Sequence, residues 1–351
     1  MKHTKVIEKN ELKPGFVFER YFGGRKIGIL DIETTGLSAS TAHVILGGLI
    51  TIEPGSDTMT KEEFFCEFNN DADEKKLLEG YMKAVRKTDV VVTYNGAHFD
   101  MPFLKERCAR LGVEYEEGLP YNLDIYRILN KFSDLRKLLP NLKQKTVEAY
   151  MGLWETRTDM ISGADSVELY YEYLTRKEGA EKEALKSTII LHNSDDCAQL
   201  YRLLPILGKV DMHKAMFHLG FPVGRRLEIG EISVDKTKLS IMGKQNIEPI
   251  EYSAFERPGF PMEMHFGKET RRFIVDVPLV RAGGRDESAE IPPLLLADSV
   301  ALCVNTSSIE DLPGIEKGFI IIKKGSDVNY ITTNAFVRLV LEKIESRLWN
   351  D

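Results

Sequence analysis

Asp31 and Glu33 close an apolar run, Ile27 to Glu33, and the polar turn Thr34-Thr35-Gly36 follows them. Read as a strand, the run alternates its side chains between two faces, so both carboxylates project on the same side. Paired carboxylates are hard oxygen donors. They suit magnesium or manganese, whereas zinc more often recruits histidine and cysteine. An Asp-x-Glu triplet also arises about once by chance in a chain of this size. What gives the pair meaning is the rest of the chain.

A third acid follows another apolar run. Residues 89–94 read as a buried strand, and Asn95-Gly96-Ala97-His98-Phe99-Asp100 continues it. Asn95-Gly96 makes a tight turn, Phe99 serves as a buried anchor, and Asp100 is set near the start of a helix. Ligands of open α/β sheets gather at the carboxyl ends of strands, where Asp31, Glu33 and Asp100 all fall. His98, in the same turn, reads as an orienting or packing residue. A fourth group lies on an expected helix, in Leu191-His192-Asn193-Ser194-Asp195-Asp196. His192 and Asp196 are four apart and share a face, so one can bind a metal while the other reaches a water on it. A cap or a simple pair is the alternative. Asp195 is expected to point elsewhere. Asp124, ending a short strand, reads either as outer support for the acids or as a plain turn residue.

The ordered set Asp31-x-Glu33, Asn95-Gly96-x-x-Phe99-Asp100 and His192-x-x-x-Asp196 resembles the DEDD (DnaQ-like) 3′-to-5′ exonucleases, which have a ribonuclease H-like fold. Leu138 to Glu148 is similar to the corresponding run of the YprB-type branch, and the likeness covers residues 20 to 210 or so. The resemblance implies metal binding by Asp31, Glu33, Asp100 and Asp196. The implied cofactors are two Mg2+ or Mn2+ ions roughly 4 Å apart, serving hydrolysis of phosphodiester bonds at the 3′ end of a single-stranded nucleic acid, DNA or RNA. One branch of the family has a histidine five residues before the last acid; another has a tyrosine four before it. This chain has His192 at the tyrosine's spacing and Leu191 at the other place, so His192 is expected to orient or deprotonate water. Substrate contacts are expected from Thr34, Asn95, Phe99, Arg136 and Lys143. A catalytically inactive module that binds nucleic acid or docks partners is the alternative on the same fold, and the presence of all four acids counts against it. An endonuclease would differ only in substrate path.

The elements that must position these residues follow from periodicity and turn chemistry. Residues 1–20 read as a lead-in, with a turn at Pro14-Gly15. After the Asp31 strand come strands at His43–Ile52 and Glu63–Phe68, which short links join into an antiparallel meander. Helices are expected at Asp71–Lys87 and Phe99–Leu111, the second ended by Gly112. Short helical pieces break at Pro140 and Gly152, and further helices cover Ala164–Thr175 and Lys182–Leu207. This order predicts an α/β domain over 21–210, a ribonuclease H-like mixed sheet of three antiparallel strands plus parallel strands, flanked by helices. A β-rich domain of unknown function is expected over 225–351, with strands near Arg226–Val234, Lys238–Met242, Pro261–Phe266, Arg271–Val277 and Gly318–Lys323. It ends in an amphipathic helix, Asn334–Leu348. Its loop at Arg281–Arg285 looks like a phosphate cradle but lacks a nucleotide loop's strand-to-helix context, which favours a mobile surface loop.

Composition limits the partners. With 43% apolar and 29% charged residues the 351-residue chain is ordinary for a soluble protein, long enough for two cores. Residues Met1 to Glu11 are charged and without the apolar run of a secretory signal, and no stretch reaches membrane-spanning length, so a cytoplasmic location is expected. Four scattered cysteines suggest neither a zinc knuckle nor a disulfide framework. A net charge of −7 excludes bulk coating of duplex nucleic acid but not the gripping of a short end. A local basic rim is present: Arg127, Lys131, Arg136, Lys137, Lys143 and Lys145 face Asp134 alone over residues 125–147. The bland account of that run is a solvated face. The 17 basic and 20 acidic residues of 225–351 leave no general nucleic-acid grip there.

Overall fold

Six strands build the sheet of the first unit in a computed structural model, which describes residues 1–116, 120–158, 161–255, 262–281, 293–296, 306–316 and 319–349. That unit is Met1–Val210; the second is Asp211–Asp351. The strands are β1 (Lys2–Lys9), β2 (Ile27–Thr34), β3 (Val44–Ile52), β4 (Thr58–Phe65), β5 (Val90–Thr93) and β6 (Tyr121–Asp124), in the order β1-β4-β3-β2-β5-β6. β2, β3 and β4 form an antiparallel meander, while β5 runs parallel to both β2 and β6.

The expected lead-in contains an element of its own, since β1 pairs with β4 along its whole length. Its run of lysines and exposed side chains hides it from a hydrophobicity pattern. An edge strand needs pairing on one side only, and lysine protects its free edge.

α1 (Phe16–Phe22) precedes β2, and α2 (Asp71–Val85) and α3 (Asp100–Leu111) provide the crossovers into β5 and β6. The Asn70 side chain caps α2 by accepting from the Asp73 N–H at 2.9 Å, and Asp71, Asp73 and Glu74 sit at its positive end. α3 ends at Gly112, whose φ of 64° is the left-handed conformation of a helix stop. Leu30 and Ile32 of β2 join Leu77, Tyr81, Phe103 and Leu104 in the core beneath α2 and α3.

β2 alternates, so Asp31 and Glu33 face the opposite side. That face is covered by α8 (Ala180–Leu203), which packs on β2, β3 and β4, with α7 (Gly163–Thr175) beside it. α7 opens with a capping box between Ser162 and Asp165. Between β6 and α7 lie α4 (Ile125–Phe132), α5 (Leu135–Leu138) and α6 (Gln144–Tyr150). α8 stops at Leu203 rather than Leu207, because Pro205 lacks the N–H a continuing α-helix needs; the chain tightens there into a 3-10 turn, Leu204–Lys209.

In the second unit α9 (Met212–Leu219) precedes β7 (Pro222–Val223), β8 (Leu227–Val234), β9 (Lys238–Gln245), β10 (Tyr252–Ala254), β11 (Glu263–Phe266) and β12 (Arg272–Pro278). These strands form a second six-stranded sheet, antiparallel throughout, in the order β10-β11-β12-β9-β8-β7. α10 (Tyr330–Leu348) starts four residues before the expected helix, at a cap from Asn329, and buries Phe336, Val337, Val340, Leu341 and Ile344. Beyond Arg281, the supposed phosphate cradle lies outside the described residues. The whole is a mixed α/β sheet flanked by helices plus a β-rich second sheet. Cys66, Cys108 and Cys197 are buried free thiols. Among the described residues no helix is long and apolar enough to cross a membrane.

Candidate active site

A cleft of about 810 Å³ opens over the carboxyl ends of β2 and β5, between the turn after β2, the start of α7 and the middle of α8. Asp31, Glu33, Asp100, His192 and Asp196 all line it, as do Thr34, Asn95 and Phe99. Three segments distant in sequence therefore bring these residues to one place. Arg136 and Lys143 are not among its lining residues. Arg136 donates to Asn130 Oδ1 at 3.2 Å and Lys143 is exposed; the basic residue that reaches the cleft from this region is Lys145.

The four acids come from three elements: Asp31 and Glu33 from β2, Asp100 from the start of α3 and Asp196 from α8. Asp31 crosses the sheet in register with Gly48 of β3, and Gly48 with Glu63 of β4. The absence of a side chain at Gly48 matters: a Cβ there would lie 1.9 Å from Asn193 Oδ1 and 3.2 Å from Cys197 Sγ. Asn193 of α8 therefore reaches down to the sheet, where its Nδ2 donates to Asp31 Oδ2 at 2.7 Å. On the other face the Tyr81 hydroxyl approaches the Gly48 and Asp31 carbonyls at 2.9 and 3.3 Å, and a Cβ on Gly47 would meet its ring at 2.9 Å. The Gly47-Gly48 pair thus lets helices close on both sides of one strand.

Asp100 starts α3 and accepts from the Ile32 N–H at 3.3 Å, which ties it to β2. The turn before it is strained and braced. Asn95 has a φ of 65°, in the region asparagine tolerates better than most residues, and Asp124 accepts from the backbone N–H of Asn95 and of Ala97 at 2.9 and 3.1 Å. Asp124 also caps α4 through the Arg127 N–H at 3.1 Å. It supports the Asp100 turn and caps a helix at once. His98 is exposed and does not line the cleft.

α8 contributes on several sides. His192 is buried, its Nε2 3.7 Å from Glu33 Oε1 and 3.8 Å from Asp196 Oδ2. Asp195, expected to point elsewhere, is buried away from the cleft and accepts from Thr158. Asp196 is ion-paired with Arg157 at 2.6 Å, and Arg157 in turn bonds to Glu148 of α6. Gln144, at the start of α6, donates to the Asp196 carbonyl at 3.0 Å, and the Tyr94 hydroxyl donates to the Leu142 carbonyl at 2.6 Å. The segment around α6 is therefore tied to the cleft at several points. Glu148 enters the sequence reading only as the end of the run from Leu138, with no role, while Asn193, Gly48 and Arg157 have none there. For Gly48 the available signal is the Gly47-Gly48 pair in the middle of an apolar strand.

Crowding of negative charge is the main electrostatic fact. Burial, together with the charges of Asp100, Asp196, Glu33 and Glu63, pushes the Asp31 carboxyl well above the usual carboxylate range. Burial also pushes Asp100 up to about 7, against the pull of its own and the Ile32 backbone N–H groups. Glu63, behind Asp31 in the same row, is raised to about 8 by burial. Acids packed in this way call for a cation. Donor atoms of Glu33, His192 and Asp196 lie within 4.8 Å of one another, and an oxygen-rich set with one imidazole fits a hard or borderline divalent ion. A second such group, His43, Asp71 and Glu74, already has a counter-charge in place, since Arg107 bonds to both acids.

Parts of the chain are similar to known proteins. Stretches of 47 and 44 residues are 40% and 39% identical to DNA polymerases of Thermococcus sp. (strain 9oN-7) and Thermococcus hydrothermalis. They cover 13% and 12% of this chain but only 6% and 3% of those proteins. Superposition on the family B DNA polymerase of Pyrobaculum calidifontis covers 55% of this chain and 28% of that one, at 18% identity and a TM-score of 0.40. The sequence model of the RNase_H superfamily matches residues 29–207, from the strand that carries Asp31 to just past the helix that carries Asp196. Since that match takes in more than half of its length, the chain belongs to the RNase H superfamily.

Proposed function

We propose that the chain is a divalent-cation-dependent 3′-to-5′ exonuclease of the DEDD kind, close to its YprB-type branch, acting on single-stranded nucleic acid. The exonuclease domain is assigned to residues 21–210 and a separate domain to 225–351. The observation that carries the reading is the meeting of Asp31, Glu33, Asp100 and Asp196 in one cleft, with His192 between two of them.

Asp31, Glu33, Asp100 and Asp196 would hold two magnesium or manganese ions. When bound, such ions ease deprotonation of water and stabilise the departing 3′ oxygen. The chain's own residues do the rest. Asn193 fixes the Asp31 carboxylate, so no reorganisation is needed when charge builds. His192, buried with its Nε2 facing Glu33 and Asp196 at 3.7 and 3.8 Å, takes a proton from water at that nitrogen. Lys145 sets a positive charge on the rim for a phosphate, and Leu37, 88% exposed in the cleft lining, offers an apolar surface for a base. Thr34 is less available, since its hydroxyl donates to the Gly36 carbonyl at 2.8 Å.

The reading is tested on matched DNA and RNA oligonucleotides, single and double stranded, with magnesium or manganese added. Release of mononucleotides from a 3′-labelled single strand, abolished by EDTA and by Asp31→Ala, is the expected result. Metal-independent binding without cleavage would favour the docking module instead.

A further inference from the structure

After α6 the chain makes a 3-10 turn at Trp154–Thr156 and then runs along α8 as Arg157 and Thr158. Three consecutive residues are tied down there. Gln199 Nε2 donates to Thr156 Oγ1 at 2.8 Å, and the N–H and hydroxyl of Thr158 both donate to Asp195 Oδ2, at 2.5 and 2.8 Å. Asp195 and Gln199 are four apart on α8, so one face of the helix holds the strap on either side of Arg157.

Arg157 is the residue this strap delivers. Its Nε and Nη2 donate to Glu148 Oε2 and Oε1 at 2.8 and 2.9 Å, and Nη2 stands 2.6 Å from Asp196 Oδ1. The two oxygens of Asp196 thus have separate neighbours: Oδ1 meets the guanidinium, and Oδ2 faces His192. Glu148 is 1% exposed and Arg157 10%, so the fork is fixed in a low-dielectric setting where its geometry is strongly determined.

On the reading of the cleft as a cation site, we propose that Arg157 is a positioning residue for Asp196. Its guanidinium, hydrogen-bonded to Glu148, sets a positive charge against Oδ1, and that charge contact orients the carboxylate so that Oδ2 is presented to a divalent ion. Glu148 cancels the guanidinium charge, so the ion approaches a neutral pair rather than a competing cation. A bare arginine at this distance would repel the metal it helps to bind. The strap supplies the rigidity, because a free loop would let the fork swing off Asp196.

The test is Mn2+ binding by the metal-free, full-length protein, followed by calorimetry beside its thermal melt. Arg157→Met alone leaves Glu148 buried without its counter-charge and is expected to melt early, so the informative variant removes both charges, Glu148→Met with Arg157→Met. This double variant is expected to melt close to the unaltered protein yet bind Mn2+ about 10- to 100-fold more weakly. Arg157→Lys keeps the charge but loses the planar fork; it is expected to weaken binding by about 10-fold and serves if the double variant does not fold. Unchanged Mn2+ affinity in these variants overturns the proposal, and so does tighter binding, which would mean that Arg157 competes for Asp196. An unaltered protein that binds Mn2+ but shortens no oligonucleotide contradicts the exonuclease reading and leaves this one standing. Failure of the unaltered protein to bind Mn2+ overturns both.

Discussion

At the scale of single residues, the acids of the cleft oppose folding in the absence of a cation. Asp31 is held well above its usual range by burial and by the charges of Asp100, Asp196, Glu33 and Glu63, so ionising it near neutral pH costs the folded state free energy. Asp31→Asn is therefore expected to abolish hydrolysis while raising the melting temperature of the metal-free protein. A melt in EDTA checks this, and a lower melting temperature contradicts it. Glu63 gives a second handle, away from the cleft lining. Its folded pKa of about 8 lies above the ordinary 4.5, so the folded state binds more protons across that window and loses stability as pH rises from 4.5 to 8. Chemical denaturation across this range should show Glu63→Gln flattening the fall by about 2 kcal/mol or more. Equal slopes in both proteins would contradict it.

At the scale of elements, the site depends on how closely α8 approaches β3. Gly48→Ala places a Cβ 1.9 Å from Asn193 Oδ1, so Asn193 must leave Asp31 or the helix must lift. A loss of about 1–3 kcal/mol in stability is expected, with a fall in hydrolysis larger than that loss explains. Asn193→Ala, measured beside it for activity and melting, should lower activity with a smaller stability change; full activity in both variants would contradict the role of Asn193. This dependence explains what was legible in advance. The acids could be read because their types and order are chemical, and the helices because their apolar residues recur at a helical period. Asn193 and Arg157 could not, since each has meaning only through a partner distant in sequence: Asp31 for one, Glu148 and Asp196 for the other. Lys145 lines the cleft while Arg136, in α5, and Lys143, just before α6, do not; charge along a sequence does not say which residue of a broken helical segment is aimed at a site. β1 was missed because an edge strand rich in lysine carries no apolar alternation.

At the scale of the whole molecule, the first unit carries every residue that lines the cleft and has its own core between the sheet and its helices. A fragment of residues 1–210 is thus expected to melt cooperatively and to keep metal-dependent hydrolysis, measured against the full chain on the same oligonucleotide. A fragment that does not fold would contradict the independence of that core. The most direct test of the central claim is anomalous diffraction from crystals soaked in Mn2+. The account predicts manganese within coordination distance of Asp31, Glu33, Asp100 and Asp196. Manganese absent from that cleft, or bound instead at His43, Asp71 and Glu74, would contradict it.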